Sequence, residues 1–193
     1  MPETTVVSTP PDLTGSMERI VLIGFMGAGK STVGPLLARA LGWRFIDLDA
    51  EVERAEGLSI AELIRGRGVE RFRELESRNG RRVLRRRRVV VAVGGGWAAE
   101  PGHMEMLDER SLAVWLQVTP ETALARIRTA RHSRPLLDVG DPLDAARDLL
   151  QARTAHYCRS DITIDTENRS PAEVVREIIR QPVLCGADME EFE

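Results

Sequence analysis

The chain has 193 residues, 42% of them apolar and 30% charged, with a formal net charge of −3. Those values describe one globular domain with no overall attraction to nucleic acid or to an anionic membrane. Aromatic residues make up only 4%, which argues against a stacking platform for single-stranded nucleic acid, and no apolar run is long enough to span a bilayer.

Residues 1–17, rich in Pro, Thr and Ser, read as a flexible lead-in that lacks the basic and apolar regions of a signal peptide. The run RIVLI (19–23) is a buried strand, and KSTVGPLLARALG (30–42) is a helix stopped by Gly42. RFIDLD (44–49) reads as a second strand. Ser59, with Glu62 three positions on, opens a helix over 59–68 as a capping box. A long polar helix is expected over 69–87, weakened around Asn79-Gly80, followed by the strand VVVAV (89–93). A short helix within 100–110 leads to the strand LAVWLQV (112–118), then to a helix over 120–130 that opens on Pro120. The irregular, basic 128–141 segment is a candidate mobile lid. A helix over 142–159, a strand over 161–166 and a helix over 170–181 complete a single domain at 18–181. Residues 182–193 form an acidic tail.

Five apolar strands alternating with helices imply an α/β fold, a parallel sheet covered on both faces. Cys158 and Cys185 have no metal or redox spacing and read as free thiols, which together with the missing signal peptide gives a cytoplasmic placement.

The chemistry concentrates after the first strand. Gly24, Gly29, Lys30 and Ser31 fit G-x-x-x-x-G-K-[ST] in the required strand–loop–helix setting. Glycines let the backbone curl close to a ligand, and the amides then converge at a helix N-terminus as an anion nest. The expected guest is a nucleoside triphosphate on Gly27, Ala28, Gly29, Lys30, Ser31 and Thr32. Lys30 would reach the outer phosphates and Ser31 would offer its hydroxyl to Mg²⁺. Asp47 and Asp49, two apart at the end of the second expected strand, can serve Mg²⁺ and a substrate hydroxyl; the lesser reading on spacing alone is a pair that caps the next helix. Gly94, Gly95 and Gly96 leave the third strand at the same edge of the sheet, either to meet a small ligand or as a tight strand exit. The run RRVLRRRR (81–88) reads as a solvated face rather than a nucleic-acid patch. Arg73, three residues before Glu76, reads alone as a surface ion pair.

Taken in order, GFMGAGKSTVG, FIDLDAEVE, GLSIAELIRGRGVERFRELE, VVAVGGG, RPLL, RTAHY and IDT resemble the shikimate kinase family from about Arg19 to about Ile179. The resemblance implies a three-layer P-loop kinase fold with a five-stranded parallel sheet and a mobile lid. It implies transfer of phosphate from ATP, with Mg²⁺, to the 3-hydroxyl of shikimate, giving shikimate 3-phosphate and ADP on the route to chorismate and the aromatic amino acids. It places Asp49 on the ring hydroxyls as candidate base and Asp47 on Mg²⁺ through water. Arg73 and Arg153 would clamp the shikimate carboxylate, with Gly95 offering its backbone N–H from within the Gly94–Gly96 run. Arg134 would swing in with the lid, and Arg126, Arg169 and Pro171 would border the adenine. The family reading suggests a monomer. Trp97 stands where the family carries a small residue, and either narrows the substrate pocket or fills the core. His132 and Ser133 precede Arg134 in a variable lid. Two other readings keep the glycine loop: a kinase of the same fold acting on gluconate or a nucleoside monophosphate, and a catalytically silent nucleotide-binding regulator docking nucleic acid through the arginine run.

Overall fold

The computed structural model describes residues 17–129 and 141–185. The expected lead-in up to residue 16, nearly all of the expected lid with His132, Ser133 and Arg134, and the tail beyond residue 185 therefore lie outside the described residues.

Strands β1 (Arg19–Ile23), β2 (Arg44–Asp47), β3 (Val89–Ala92), β4 (Ser111–Gln117) and β5 (Ile162–Asp165) form one parallel sheet in the order β2-β3-β1-β4-β5. Position in the sheet explains composition. The central β1 and β3 are buried at every residue, while β2 and β5, at the edges, bury one residue each, Ile46 and Ile164. Helices α1 (Lys30–Leu41), α2 (Leu48–Glu56), α3 (Ile60–Arg67), α4 (Val69–Val83), α5 (Pro120–Thr129), α6 (Pro142–Tyr157), α7 (Pro171–Ile179) and a last turn, α8 (Pro182–Cys185), flank it. The main core runs across the sheet from Ile20–Ile23 to Leu112–Leu116 and Ile178. A satellite core of Val52, Leu63, Phe72 and Leu75 joins α2, α3 and α4 into a separate corner.

The expected capping box of Ser59 with Glu62 opens α3, and a second one, Ser170 with Glu173, opens α7. Three expectations change. The second strand stops at Asp47, whose side chain accepts from the Ala50 amide at 3.3 Å and starts α2, so Asp49 sits in a first helical turn rather than in the strand. The 69–87 helix ends at Val83 but passes unbroken through Asn79-Gly80. Asn79 bonds the Leu75 carbonyl at 2.9 Å, and Gly80 leaves room for the Trp97 indole, 3.4 Å from where a β-carbon would stand. The 100–110 stretch holds only a 3₁₀ turn at Met104–Met106, because Pro101-Gly102, with Gly102 at φ 79°, breaks it first. No helix among the described residues is long and apolar enough to cross a membrane.

Candidate active site

The glycine loop leaves β1 and enters α1 under tight steric control. A β-carbon on Gly24 would lie 2.4 Å from the Leu116 carbonyl oxygen, and one on Gly27 would lie 2.6 Å from that of Ala123. Both residues also have positive φ, 134° and 77°, so only glycine lets the loop lie this close to β4 and α5. The first amides of α1 have no carbonyl of their own helix to bond, which makes this end an anion site. Lys30 folds back over the loop, its ammonium donating to the carbonyls of Gly24 at 2.7 Å and Phe25 at 3.0 Å. Thr32, Gly29 and Ala28 complete the loop and the first turn, with Ala28 buried and Thr32 exposed.

The Ser31 hydroxyl donates to Asp47 Oδ2 at 2.6 Å, so the P-loop and the end of β2 meet at two oxygen donors. No cluster of three or more His, Cys, Asp or Glu side chains suited to a metal occurs among the described residues. A cation held by Ser31 and Asp47 would therefore complete its shell with phosphate oxygens and water, which suits Mg²⁺.

The second half of the site is built around Gly94–Gly96, a side-chain-free ribbon beyond β3. Where a β-carbon of Gly94 would stand, Glu76 Oε1 lies at 2.6 Å and Asp49 Oδ1 at 3.0 Å. Gly95 has the Met26 amide nitrogen at 3.3 Å and Arg153 Nη1 at 3.5 Å in the same sense. Gly96 has Arg73 Nη2 at 2.6 Å and Arg153 Nη2 at 3.2 Å. Asp49, Arg73, Arg153 and the glycine ribbon thus line one cup. Gly95 is the wall it shares with the P-loop, since Gly24 O lies 3.6 Å from that same β-carbon position.

Arg73 is aimed from behind. Its Nη1 donates to Glu76 Oε2 at 2.6 Å and its Nε pairs with Glu100 Oε1 at 2.7 Å, leaving Nη2 toward the ribbon. The surface ion pair expected from spacing is corrected here, because Glu76 is 0% exposed. Burial pushes the Glu76 carboxyl up to about 7 despite the opposing pull of Arg73, and the nearby Asp49 and Glu100 carboxylates push the same way. Arg153, itself buried, comes from α6, and one turn later Tyr157 reaches the ribbon from the same helix.

On the nucleotide side, Arg126 donates to the Gly27 carbonyl at 3.3 Å and to Thr166 Oγ1 and O at 3.0 and 2.8 Å, tying the P-loop to the exit of β5. Arg169 and Pro171 stand exposed just beyond that exit, at the start of α7. Trp97 belongs to the core: it is fully buried and stacks on His103 with ring centroids 4.8 Å apart. The arginines of 81–88 are all exposed; Arg82 pairs with Glu51 and Arg87 with Glu18. Sequence reasoning gave no site role to Glu76, Glu100, Met26 or Tyr157. Glu76 and Tyr157 carried a visible signal, each standing one helical turn after an arginine of the site, Arg73 and Arg153.

A glycine loop with its lysine at the carboxyl edge of a 2-3-1-4-5 parallel sheet, facing a cup of two arginines and an aspartate, defines a P-loop phosphotransferase of the small-molecule kinase class. The family model for shikimate kinase matches residues 26–182. The shikimate kinase of Moorella thermoacetica is 48% identical over 159 residues, covering 82% of this chain and 91% of the relative. The structure of shikimate kinase from Acinetobacter baumannii in complex with shikimate superposes with a TM-score of 0.84 at 33% identity, covering 94% of this chain and 100% of that one. A gluconokinase from Sinorhizobium meliloti, at 21% identity and a TM-score of 0.54 over 88% of this chain and 91% of that one, shares the fold alone. This chain belongs to the shikimate kinase family.

Proposed function

We propose that the protein transfers the terminal phosphoryl group of ATP to the 3-hydroxyl of shikimate. The observation that carries this reading is the shared wall at Gly95. It sets a triphosphate cradle beside a cup that offers two guanidinium groups for a carboxylate and one carboxylate for a hydroxyl. Gluconate, an open-chain carboxylate, has no ring to span that cup, and a nucleoside monophosphate would meet Asp49 and Glu76 with a dianion.

In this mechanism Lys30 leaves the Gly24 and Phe25 carbonyls for the outer phosphates of ATP, while the loop amides hold the remaining oxygens. Ser31 and Asp47 would hold Mg²⁺, whose charge would offset that of the phosphate oxygens. Arg73 and Arg153 hold the shikimate carboxylate, and the ring then presents its hydroxyls to Asp49, which orients the acceptor and takes its proton. Arg126, Arg169 and Pro171 border the adenine, and Arg134 joins the phosphates from the 128–141 segment. Residues 18–181 act as one catalytic unit, a cytoplasmic monomer that needs neither nucleic acid nor membrane.

The test is ADP release by the purified protein with ATP and Mg²⁺, with and without shikimate, and with gluconate and a nucleoside monophosphate as control acceptors. ADP release that depends on shikimate supports the reading. Equal release with every acceptor, or with none, refutes it.

A further inference from the structure

Within that reading, the three carbonyls of the glycine ribbon share a feature that the arginine cup does not explain: each is already bonded. Gly94 O accepts from the Trp97 amide at 3.0 Å and Gly96 O from the Ala99 amide at 3.1 Å, both by the local 3₁₀ turn. Gly95 O has no such local donor; it accepts from the hydroxyl of Tyr157, 62 positions away. The amides of Gly95 and Gly96, by contrast, have no acceptor among the described residues. In a trans peptide the C=O and N–H point in opposite directions. Holding the Gly95 carbonyl toward α6 therefore turns the Gly96 N–H away from α6.

We infer that Tyr157 is a positioning residue that sets the polarity of the substrate cup: by tying off the Gly95 carbonyl it makes the glycine ribbon a donor-only surface for an anionic substrate. A glycine ribbon has the least intrinsic order of any backbone. A carbonyl turned into this cup would set a negative dipole against a carboxylate. The Tyr157 ring is 0% exposed and packs on Trp115 with centroids 5.7 Å apart, so the hydroxyl is delivered from a fixed platform. Burial raises its pKa to about 12, against the lesser opposing charge and hydrogen bond of Arg153, so the group remains a proton donor throughout the neutral range. Arg153 and Tyr157, one turn apart on α6, thus act on the same ribbon: one supplies charge beside it and the other orients its peptide.

The test is Tyr157→Phe, which removes only the hydroxyl and keeps the ring. The expected result is a rise of about fivefold to twentyfold in the shikimate KM and in the shikimate Kd read from intrinsic tryptophan fluorescence. The KM for ATP should stay unchanged. In the free protein the Gly95 and Gly96 amide resonances should shift and exchange faster with solvent. Unchanged shikimate constants overturn the inference. So do parallel losses for shikimate and ATP with a lowered Tm, which would mark a packing role. The amide readout needs no turnover: if the wild type fails to phosphorylate shikimate, the functional reading falls while the ribbon's dependence on Tyr157 is still decided.

Discussion

Gly96→Ala separates the geometry of the cup from the stability of the fold. Gly96 has φ −96° and ψ −8°, a conformation open to any L-residue, so alanine adds no backbone strain. By limiting the unfolded chain, the substitution by itself would add about 0.4–1 kcal/mol of stability, a gain that strain on the Arg73 ion pairs offsets. The new β-carbon, however, would stand 2.6 Å from Arg73 Nη2 and 3.2 Å from Arg153 Nη2. Ordinary contact requires the Arg73 guanidinium to withdraw by about 1 Å. It cannot do so freely, because Glu76 and Glu100 hold its other nitrogens at 2.6 and 2.7 Å. Misplacement on this scale costs up to about a hundredfold in rate, so kcat/KM for shikimate should fall about 10–100-fold, or ~1.4–2.8 kcal/mol. The KM for ATP should hold. Steady-state kinetics with each substrate varied in turn, together with a thermal melt, reads all three quantities. Gly66→Ala is the control: it sits in α3 with nothing within 4 Å of its β-carbon position, and should raise the Tm slightly without touching the kinetics. A Gly96→Ala enzyme with wild-type shikimate kinetics and an unchanged melt would place Arg73 and Arg153 outside the substrate site.

Three further substitutions test other parts of the account. Lys30→Met should lower kcat by about a hundredfold or more while circular dichroism stays native, since the ammonium bonds the loop carbonyls of Gly24 and Phe25 and its charge is needed on the phosphates; near-normal turnover would count against its role. Gly24→Ala places a β-carbon 2.4 Å from the Leu116 oxygen at φ 134° and should cost about 2–4 kcal/mol in a denaturant titration. A Gly24→Ala protein as stable as wild type would mean the loop is not pressed against β4. Glu76→Gln tests a pH effect: a carboxyl raised from 4.5 to about 7 binds its proton more tightly in the folded state, so its contribution to stability is lost as pH rises through that window. The wild type should therefore lose more stability than the variant between pH 5 and pH 8, and the variant should show a raised shikimate KM through a loosened Arg73. Parallel pH profiles would refute the buried-carboxylate description.

What was legible in the sequence is what local chemistry encodes. The glycine loop, the five apolar strands and the serine–glutamate box at Ser59 each depend on neighbours within a few residues. The second strand was drawn too long because Leu48 is apolar and continues the strand pattern; Asp47 wins by capping α2, a competition that spacing cannot decide. Helix α2 went unread because its sequence, LDAEVERAE, buries only Leu48 and Val52, too few for a visible stripe. The Asn79-Gly80 pair looked like a breaker and is instead a niche for Trp97, a partner 17 residues beyond Gly80. Glu76 was misread for the same reason. Three residues from Arg73 it looks like half of a surface pair, and only the return of β3 and its glycine ribbon over α4 buries it.

The central claim is that a phosphoryl group passes from the cradle to the cup across the wall at Gly95. Phosphorus NMR of the product formed from ATP and shikimate reads this directly. The account predicts a phosphate monoester on the 3-hydroxyl, formed in step with ADP. Phosphate released only as the free inorganic ion, or attached to a different hydroxyl, would contradict it.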